Sequence, residues 1–80
     1  MRKSEIRDLL DQGKKNGDIY LILVQDGFDG DEYELYAKTL DEAKAKVNKY
    51  KGMEMQTVFS VYRIDQDWDE QLKHNSCWKV

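Results

Sequence analysis

The feature that most constrains the fold is an uninterrupted run of six apolar residues, Ile19-Tyr20-Leu21-Ile22-Leu23-Val24. Six residues are too few for a stable helix, and a run rich in branched side chains is typical of a strand covered on both faces. A chain of 80 residues holds one modest core, so such a strand belongs at its centre. We therefore predict a single domain, residues 1–80, built in layers around this strand.

Three segments have the periodicity and end signals of helices. The first is expected to begin with Ser4 as N-cap and to end at Gly13 or Gly17. Its apolar stripe consists of Ile6, Leu9 and Leu10. A final short helix is expected from Asp67 through about His74, because the spacing from Asp67 to Glu70 is that of a cap.

The second helix has the clearest signals at both ends. Thr39-Leu40-Asp41-Glu42 is a capping-box pattern, in which Thr39 accepts from the amide of Glu42 and the Glu42 carboxylate returns to the amide of Thr39. Gly52 is a natural end. The side chains that this helix is expected to bury are Leu40, Ala43, Val47 and Tyr50.

Two more strands are predicted around the apolar run. Asp26–Asp31 concentrates aspartate and glycine, which favour tight turns, so the alternating segment 32–37 should form the second strand of a hairpin. Residues 56–64 have the branched and aromatic content of a third strand. This strand can pair in parallel with the second strand or antiparallel with the first. Because the first strand is the most apolar, we predict an α+β fold of order αββαβα, with a three-stranded antiparallel sheet in the order 2-1-3 and helices on both faces.

Charge and cysteine content narrow the class of function. The net charge is −3, and six acids with one lysine give residues 18–38 a net charge of −5. This acidity disfavours nucleic-acid binding, which needs clustered Lys and Arg, and favours a protein partner with a basic surface. With one cysteine, no apolar run of about 18 residues and no apolar signal-peptide core, we expect a cytoplasmic protein that does not bind membranes.

Two groups of residues are candidates for a reactive or metal-binding site. Acids crowd the predicted turn and offer the oxygen ligands that calcium or magnesium prefers, but their spacing does not match an EF-hand loop. A solvated turn is the simpler interpretation of these acids. His74 and Cys77 are three residues apart near the end of the chain, where a polar histidine and a packing cysteine are the simpler interpretation.

The aromatic residues and the lysines have two interpretations each: nucleic-acid binding, or a role in packing and solvation. Aromatic rings on a sheet face can stack unpaired bases, but here they are interleaved with acids, and about half are expected in the core. The tyrosines and tryptophans are Tyr20, Tyr33, Tyr36, Tyr50, Tyr62, Trp68 and Trp78. The lysines of the second helix, Lys44, Lys46, Lys49 and Lys51, spread around it and indicate a solvated surface.

The turn and second strand also resemble a known signature. Asp26-x-Phe28-Asp29-x-x-Glu32-Tyr33-x-x-Tyr36 is similar to the Asp-x-Phe-Asp-x-x-Asp-Tyr-x-x-Tyr pattern of a family of small uncharacterised proteins of bacteriophages, prophages and bacterial genomes. Met55-Gln56-x-Val58-x-x-Val61-Tyr62 and Glu70-Gln71-Leu72 resemble later blocks of that family, so the resemblance spans nearly the whole chain. It implies a phage or mobile-element background without a particular activity.

The chain departs from this signature at three positions. Glu32 replaces the third aspartate of the pattern, Glu34 replaces the usual proline, and Gly30 replaces an aromatic residue or histidine. The residues that match are Asp26, Phe28, Asp29, Tyr33 and Tyr36.

We predict a non-enzymatic binding module that needs no cofactor and inhibits or modulates a host or defence protein through the acidic hairpin. Its expected contact residues are Asp26, Phe28, Asp29, Asp31, Glu32, Tyr33 and Tyr36. A competing structural interpretation folds Phe28 back onto the core. Two other functions stay open: a divalent-metal-binding protein or small metal-dependent enzyme that uses the acidic loop, and self-association through an edge strand or a tyrosine-rich sheet face.

Overall fold

The computed structural model describes residues 1–74, which form three helices and a three-stranded antiparallel sheet. In chain order the elements are α1 (Lys3–Lys15), β1 (Tyr20–Asp26), β2 (Glu32–Ala37), α2 (Leu40–Lys51), β3 (Gln56–Arg63) and α3 (Trp68–His74). The strand order is β2-β1-β3, and both pairings are antiparallel. The predicted α+β class, element order and strand order are confirmed.

Strand β1 lies at the centre because its side chains are apolar on both faces. All five residues from Tyr20 to Val24 are buried. Leu21 and Leu23 pack towards α1 and α3, whereas Ile22 and Val24 pack towards α2. The sheet therefore lies between α2 on one face, called the α2 face below, and α1 with α3 on the other, called the α1 face. Removing apolar surface from water on both faces contributes about 25 cal/mol per Å².

Helix α1 approaches the sheet too closely at Gly13 to leave room for a side chain. A Cβ atom there would lie 2.5 Å from Ile64 Cδ1 and 2.7 Å from Tyr36 Cε1. The helix continues through Gly13 to Lys15. Of the two predicted ends, Gly13 and Gly17, only Gly17 lies beyond its last turn. The prediction of Ser4 as N-cap was wrong, because the chain already turns helical after Arg2.

Helix α2 begins as predicted, although one of its expected core residues is exposed. Thr39 Oγ1 accepts a hydrogen bond from the Glu42 amide at 3.2 Å, but the Glu42 carboxylate pairs with Lys46 instead of returning to Thr39. Ala43 and Val47 are fully buried. Leu40 is 42% exposed, contrary to the prediction, and we attribute this to its position in the first turn, beyond the last residue of β2.

Helix α3 is tied to the end of β3 by one buried side chain. Gln71 Oε1 accepts from the Arg63 amide at 2.6 Å, and Gln71 Nε2 donates to the Arg63 carbonyl at 2.8 Å. Asp67 Oδ1 accepts from the Glu70 amide at 3.1 Å, which confirms the predicted start of this helix. No helix within residues 1–74 has the length and apolar character needed to span a bilayer. The suggested partner of His74, Cys77, lies outside the described residues.

Candidate functional site

The turn between β1 and β2, Asp26–Asp31, is called the hairpin tip below, and its own hydrogen bonds hold its shape. The Asp26 amide donates to the Asp31 carbonyl at 2.8 Å. Asp26 Oδ1 accepts from the Phe28 amide at 2.8 Å, and Asp29 Oδ1 accepts from the Asp31 amide at 2.9 Å. Because aspartate side chains commonly stabilise turns by bonding the amide two residues on, these two acids explain why the chain reverses here.

The loop between α2 and β3 supports the hairpin tip from one side. The Gly27 amide donates to the Met55 carbonyl, and a Cβ atom at Gly27 would lie 3.1 Å from that oxygen. Met55 itself has a positive φ of 63°, an uncommon conformation for a residue with a side chain. Met53 and Met55 are both exposed, so two flexible apolar side chains lie on this loop. Neither methionine was predicted as a contact residue from the sequence.

Phe28 projects from the hairpin tip into solvent. Its exposed fraction is 84%, so the interpretation that folds it back onto the core was wrong. Asp29 and Asp31 are also exposed, whereas Asp26 is half-buried. Glu32, the first residue of β2, is exposed and accepts a hydrogen bond from the Met1 amino group. The tip therefore presents one aromatic ring among carboxylates.

Tyr33 turns away from the tip and towards α2. Its hydroxyl donates to Gln56 Oε1 on β3, and its ring meets that of Tyr50 edge-on with centroids 6.3 Å apart. Burial raises the pKa of Tyr33, and the neighbouring Tyr50 and Asp26 raise it further. This side chain links all three strands and α2 on one face of the sheet.

Tyr36 packs on the opposite face, beneath α1. Its ring lies against Gly13, and its hydroxyl donates to the Leu9 carbonyl at 2.7 Å. Burial raises the pKa of Tyr36 to about 12, with smaller contributions from the charges of Glu34 and Asp18. The ring is thus part of the contact between α1 and the sheet.

The predicted contact residues accordingly divide into two groups. The structure brings together Asp26, Phe28, Asp29 and Asp31 at the tip, with Glu32 beside them. It places Tyr33 and Tyr36 on opposite faces of β2 and packs each against a helix. The sequence already carried this signal, because two residues three apart in a strand point to opposite faces.

The carboxylates of the tip do not converge on a common point. Within residues 1–74, no three His, Cys, Asp or Glu side chains are grouped closely enough to hold a metal ion. Two of the carboxylates, those of Asp26 and Asp29, already accept hydrogen bonds from the tip's own amides. The metal-dependent alternative thus gains no support from this geometry.

The other tyrosines and Trp68 serve packing. Tyr20 and Tyr62 are buried, and Trp68 packs against the core while its Nε1 donates to the Ile64 carbonyl at 2.9 Å. Together with Tyr33, Tyr36 and Tyr50, every tyrosine and tryptophan within residues 1–74 belongs to or packs against a core cluster. The remaining ring of the set, Trp78, lies outside the described residues.

An open groove of about 460 Å³ lies between α1 and α3. Its walls include Trp68, with Lys14 Nζ 5.9 Å from the ring centroid, and an ion pair between Arg7 and Asp69. Asp65 lies at its rim, where the hydrogen bond from Arg63 lowers the pKa of its carboxyl. The groove mixes both charges, and its cations are already paired with acids or rings.

Comparison of the chain with models of protein families, with curated proteins and with solved structures yields no match. The resemblance to the phage and bacterial signature stays a prediction. What bears on function is the geometry of the tip: an exposed aromatic ring among carboxylates on a turn that is braced by a second loop.

Proposed function

We propose that the chain is a non-enzymatic protein-binding module whose contact surface is the hairpin tip. The observation that carries this proposal is the 84% exposure of Phe28 on a turn whose backbone amides donate hydrogen bonds to Asp26, Asp29 and Met55. Burying a phenylalanine side chain is worth about 1.5–3 kcal/mol, a gain that folding of residues 1–74 leaves unused. A partner protein with a pocket for the ring would gain this free energy on binding.

The structure of the tip supports tight and oriented binding. A ring on a turn held by local hydrogen bonds loses little conformational freedom when it is captured, so less of the contact energy is spent on ordering. Aromatic anchors of this kind commonly supply most of the binding energy of an interface. The surrounding carboxylates of Asp29 and Asp31 supply charge, which mainly sets orientation and association rate.

These features define the chemistry of the partner. We expect an apolar pocket wide enough for one phenyl ring, rimmed by Lys or Arg side chains that face Asp29 and Asp31. The exposed Met55 beside the tip adds adaptable apolar contact area, and Met53 is exposed on the same loop. From the signature resemblance we further propose a phage or mobile-element protein that acts in the cytoplasm as an inhibitor or modulator of a host or defence protein.

Capture of proteins from a bacterial lysate on the immobilised chain, quantified by mass spectrometry, tests this proposal. The informative variants are Phe28→Ala, which removes the anchor, and Asp29→Asn, which removes a charge but keeps the oxygen that accepts from the Asp31 amide. Asp8→Asn, on the exposed side of α1, is the charge-matched control. Because Phe28 and Asp29 are exposed, both variants should fold like the parent, which circular dichroism verifies.

The expected result is a protein retained by the parent and by Asp8→Asn but lost with Phe28→Ala. With Asp29→Asn, association should slow and its dependence on salt should weaken, because this charge steers the encounter. Equal retention of the captured protein by Phe28→Ala and the parent would overturn the proposal. So would the absence of any protein retained above an empty matrix.

A further inference from the structure

Strand β2 has one strand neighbour within residues 1–74, and its other edge carries outward-facing backbone groups. The Asp26 amide bonds the Asp31 carbonyl, and Val24 pairs with Tyr33 in the same register. Because an antiparallel strand directs alternate residues to alternate sides, the backbone groups of Glu32, Glu34 and Tyr36 point away from β1. This outer side of β2, residues 32–36, is called the open edge below.

One end of the open edge is closed by a side chain, and the rest is not. Lys46 of α2 donates to the outward carbonyl of Tyr36. Among the residues that the structure describes, no group bonds the outward amides and carbonyls of Glu32 and Glu34. The Glu34 side chain is exposed and enters none of the ion pairs found within residues 1–74.

We propose that the open edge accepts an additional strand from a partner protein in which Lys or Arg occupies alternate positions. Unpaired strand edges are templates for strand addition, in which backbone hydrogen bonds supply affinity and alternate side chains supply specificity. Basic residues of the added strand lie beside Glu32 and Glu34 on the α1 face. Branched or apolar residues of that strand lie beside Tyr33 and Leu35 on the α2 face.

The charges of the open edge select this occupant over a second copy of the chain. Pairing two copies through β2 would bring Glu34 of one copy beside Glu32 or Glu34 of the other on one face. Glu32 is paired with the Met1 amino group of its own chain, so the main uncompensated charge is that of Glu34. Like charges on adjacent strands are destabilising, whereas opposite charges contribute favourably. The acids therefore oppose self-pairing and favour a cationic strand. The open edge is distinct from the ring and carboxylates of the tip, so its test is independent of the one above.

Titration of the ¹⁵N-labelled chain with synthetic peptides, followed by nuclear magnetic resonance, tests the inference. The probe is an eight-residue peptide with lysine at every second position and valine or threonine between. A second peptide has the same side chains but N-methylated amides on one edge, and a third has the same methyl groups on the other edge. Methylation removes hydrogen-bond donors without changing charge, so it separates strand addition from plain charge attraction.

Binding should be read at the amides of β2 itself. The outward amides of Glu32 and Glu34 are expected to shift and to exchange with solvent at least about tenfold more slowly when the unmodified peptide is bound. The amides of Tyr33 and Leu35, which already face β1, are the internal reference. One of the two methylated peptides should lose binding, because only one edge of the peptide pairs with β2.

Glu34→Lys is the variant that tests charge selection. It should weaken binding of the lysine peptide by about threefold to tenfold, because a favourable cross-strand pair becomes an unfavourable one. Asp8→Lys makes the same change of charge on α1 and should leave the affinity near that of the parent.

Four outcomes would overturn the inference. They are the absence of shifts at β2, equal binding of both methylated peptides and the unmodified one, equal weakening by Asp8→Lys and Glu34→Lys, and dimerisation of the parent through β2 in light scattering. Equal retention of the lysate partner by Phe28→Ala and the parent, together with binding of the lysine peptide at β2, would overturn the proposed function of the tip and support this inference.

Discussion

The hairpin tip and the strand that follows it occupy one continuous stretch, residues 26–37, yet their aromatic residues have opposite environments. At the tip, Phe28 is 84% exposed and its surroundings are carboxylates. A few residues later, Tyr33 and Tyr36 are each packed under a helix and each donate a hydrogen bond to another element of the fold. The difference shows that one sequence pattern combines a surface available for contact with side chains that hold the sheet to its helices.

The physical origin of the difference is the position of each residue relative to the core. The tip extends past the sheet and is held by hydrogen bonds of its own backbone and aspartates, so its side chains are not needed for packing. Residues of β2 lie between two helical layers, so their apolar surface is buried on either face. Substitutions in the two regions should therefore affect different measurements.

Truncation of Tyr36 should have the largest effect on stability. Tyr36→Ala removes a ring packed against α1 together with its hydrogen bond to the Leu9 carbonyl, and we expect a loss of about 3 kcal/mol in the free energy of unfolding. In a domain of this size that corresponds to a melting temperature lower by more than about 10 °C. Urea unfolding monitored by circular dichroism measures it. A loss below about 1 kcal/mol would contradict the packing role assigned to this tyrosine.

Gly13→Ala should have the next largest effect on stability. Gly13→Ala places a methyl group 2.5 Å from Ile64 Cδ1 and 2.7 Å from Tyr36 Cε1, and overpacking of this kind costs about 1–3 kcal/mol. Without the contact, alanine in a helix would instead stabilise by about 0.5–1 kcal/mol. Thermal unfolding gives the sign. Ser4→Ala, on the exposed side of the same helix, is the control and should change little.

A double variant examines whether the contact itself is responsible. Ile64→Val deletes the Cδ1 atom that the new methyl group would meet. The loss in Gly13→Ala with Ile64→Val should therefore be smaller than the sum of the two single losses. Strict additivity would show that the cost of Gly13→Ala arises elsewhere.

Removing only the Tyr36 hydroxyl should have a smaller effect that depends on pH. Tyr36→Phe should cost about 1 kcal/mol near neutral pH, because one hydrogen bond is lost and the Leu9 carbonyl is left without that donor. Since the folded pKa of about 12 lies above the ordinary value of 10, folding favours the protonated phenol. This contribution is fully present below pH 10 and is lost as pH rises from 10 through about 12.

The parent should consequently lose stability across that alkaline range more steeply than Tyr36→Phe does. Urea unfolding at several pH values from neutral to alkaline gives both slopes. Identical slopes would mean that ionisation of Tyr36 is not coupled to folding.

Truncation of Phe28 should have the smallest effect on stability. Phe28→Ala is expected to change the free energy of unfolding by no more than about 0.5 kcal/mol, because the ring is 84% exposed and packs against neither core cluster. The same variant should abolish partner capture. A destabilisation approaching that of Tyr36→Ala would remove the distinction between the two regions.

Most elements of the fold were predictable because their signals are local. The apolar run of β1, the aspartates and glycines of the tip, and the Thr39 cap of α2 each identify a structure within a few residues. The strand order followed from one further step, the placement of the most apolar strand at the centre. The sequence was less decisive where neighbours outside the segment determine the outcome. It left the end of α1 open between Gly13 and Gly17, and it wrongly placed the exposed Leu40 in the core.

The candidate site was predictable in its charge and turn but not in its accessible surface. From the residues alone, the acidic turn, its aspartates and the presence of an aromatic residue were evident. Whether Phe28 pointed outward and which side of β2 remained open depended on the helices and the Met55 loop, which are distant in sequence. Local hydrogen bonding and hydrophobic periodicity act over a few residues, so the sequence by itself determines them. Burial of a side chain depends on which distant segments pack around it, so only the tertiary structure decides it.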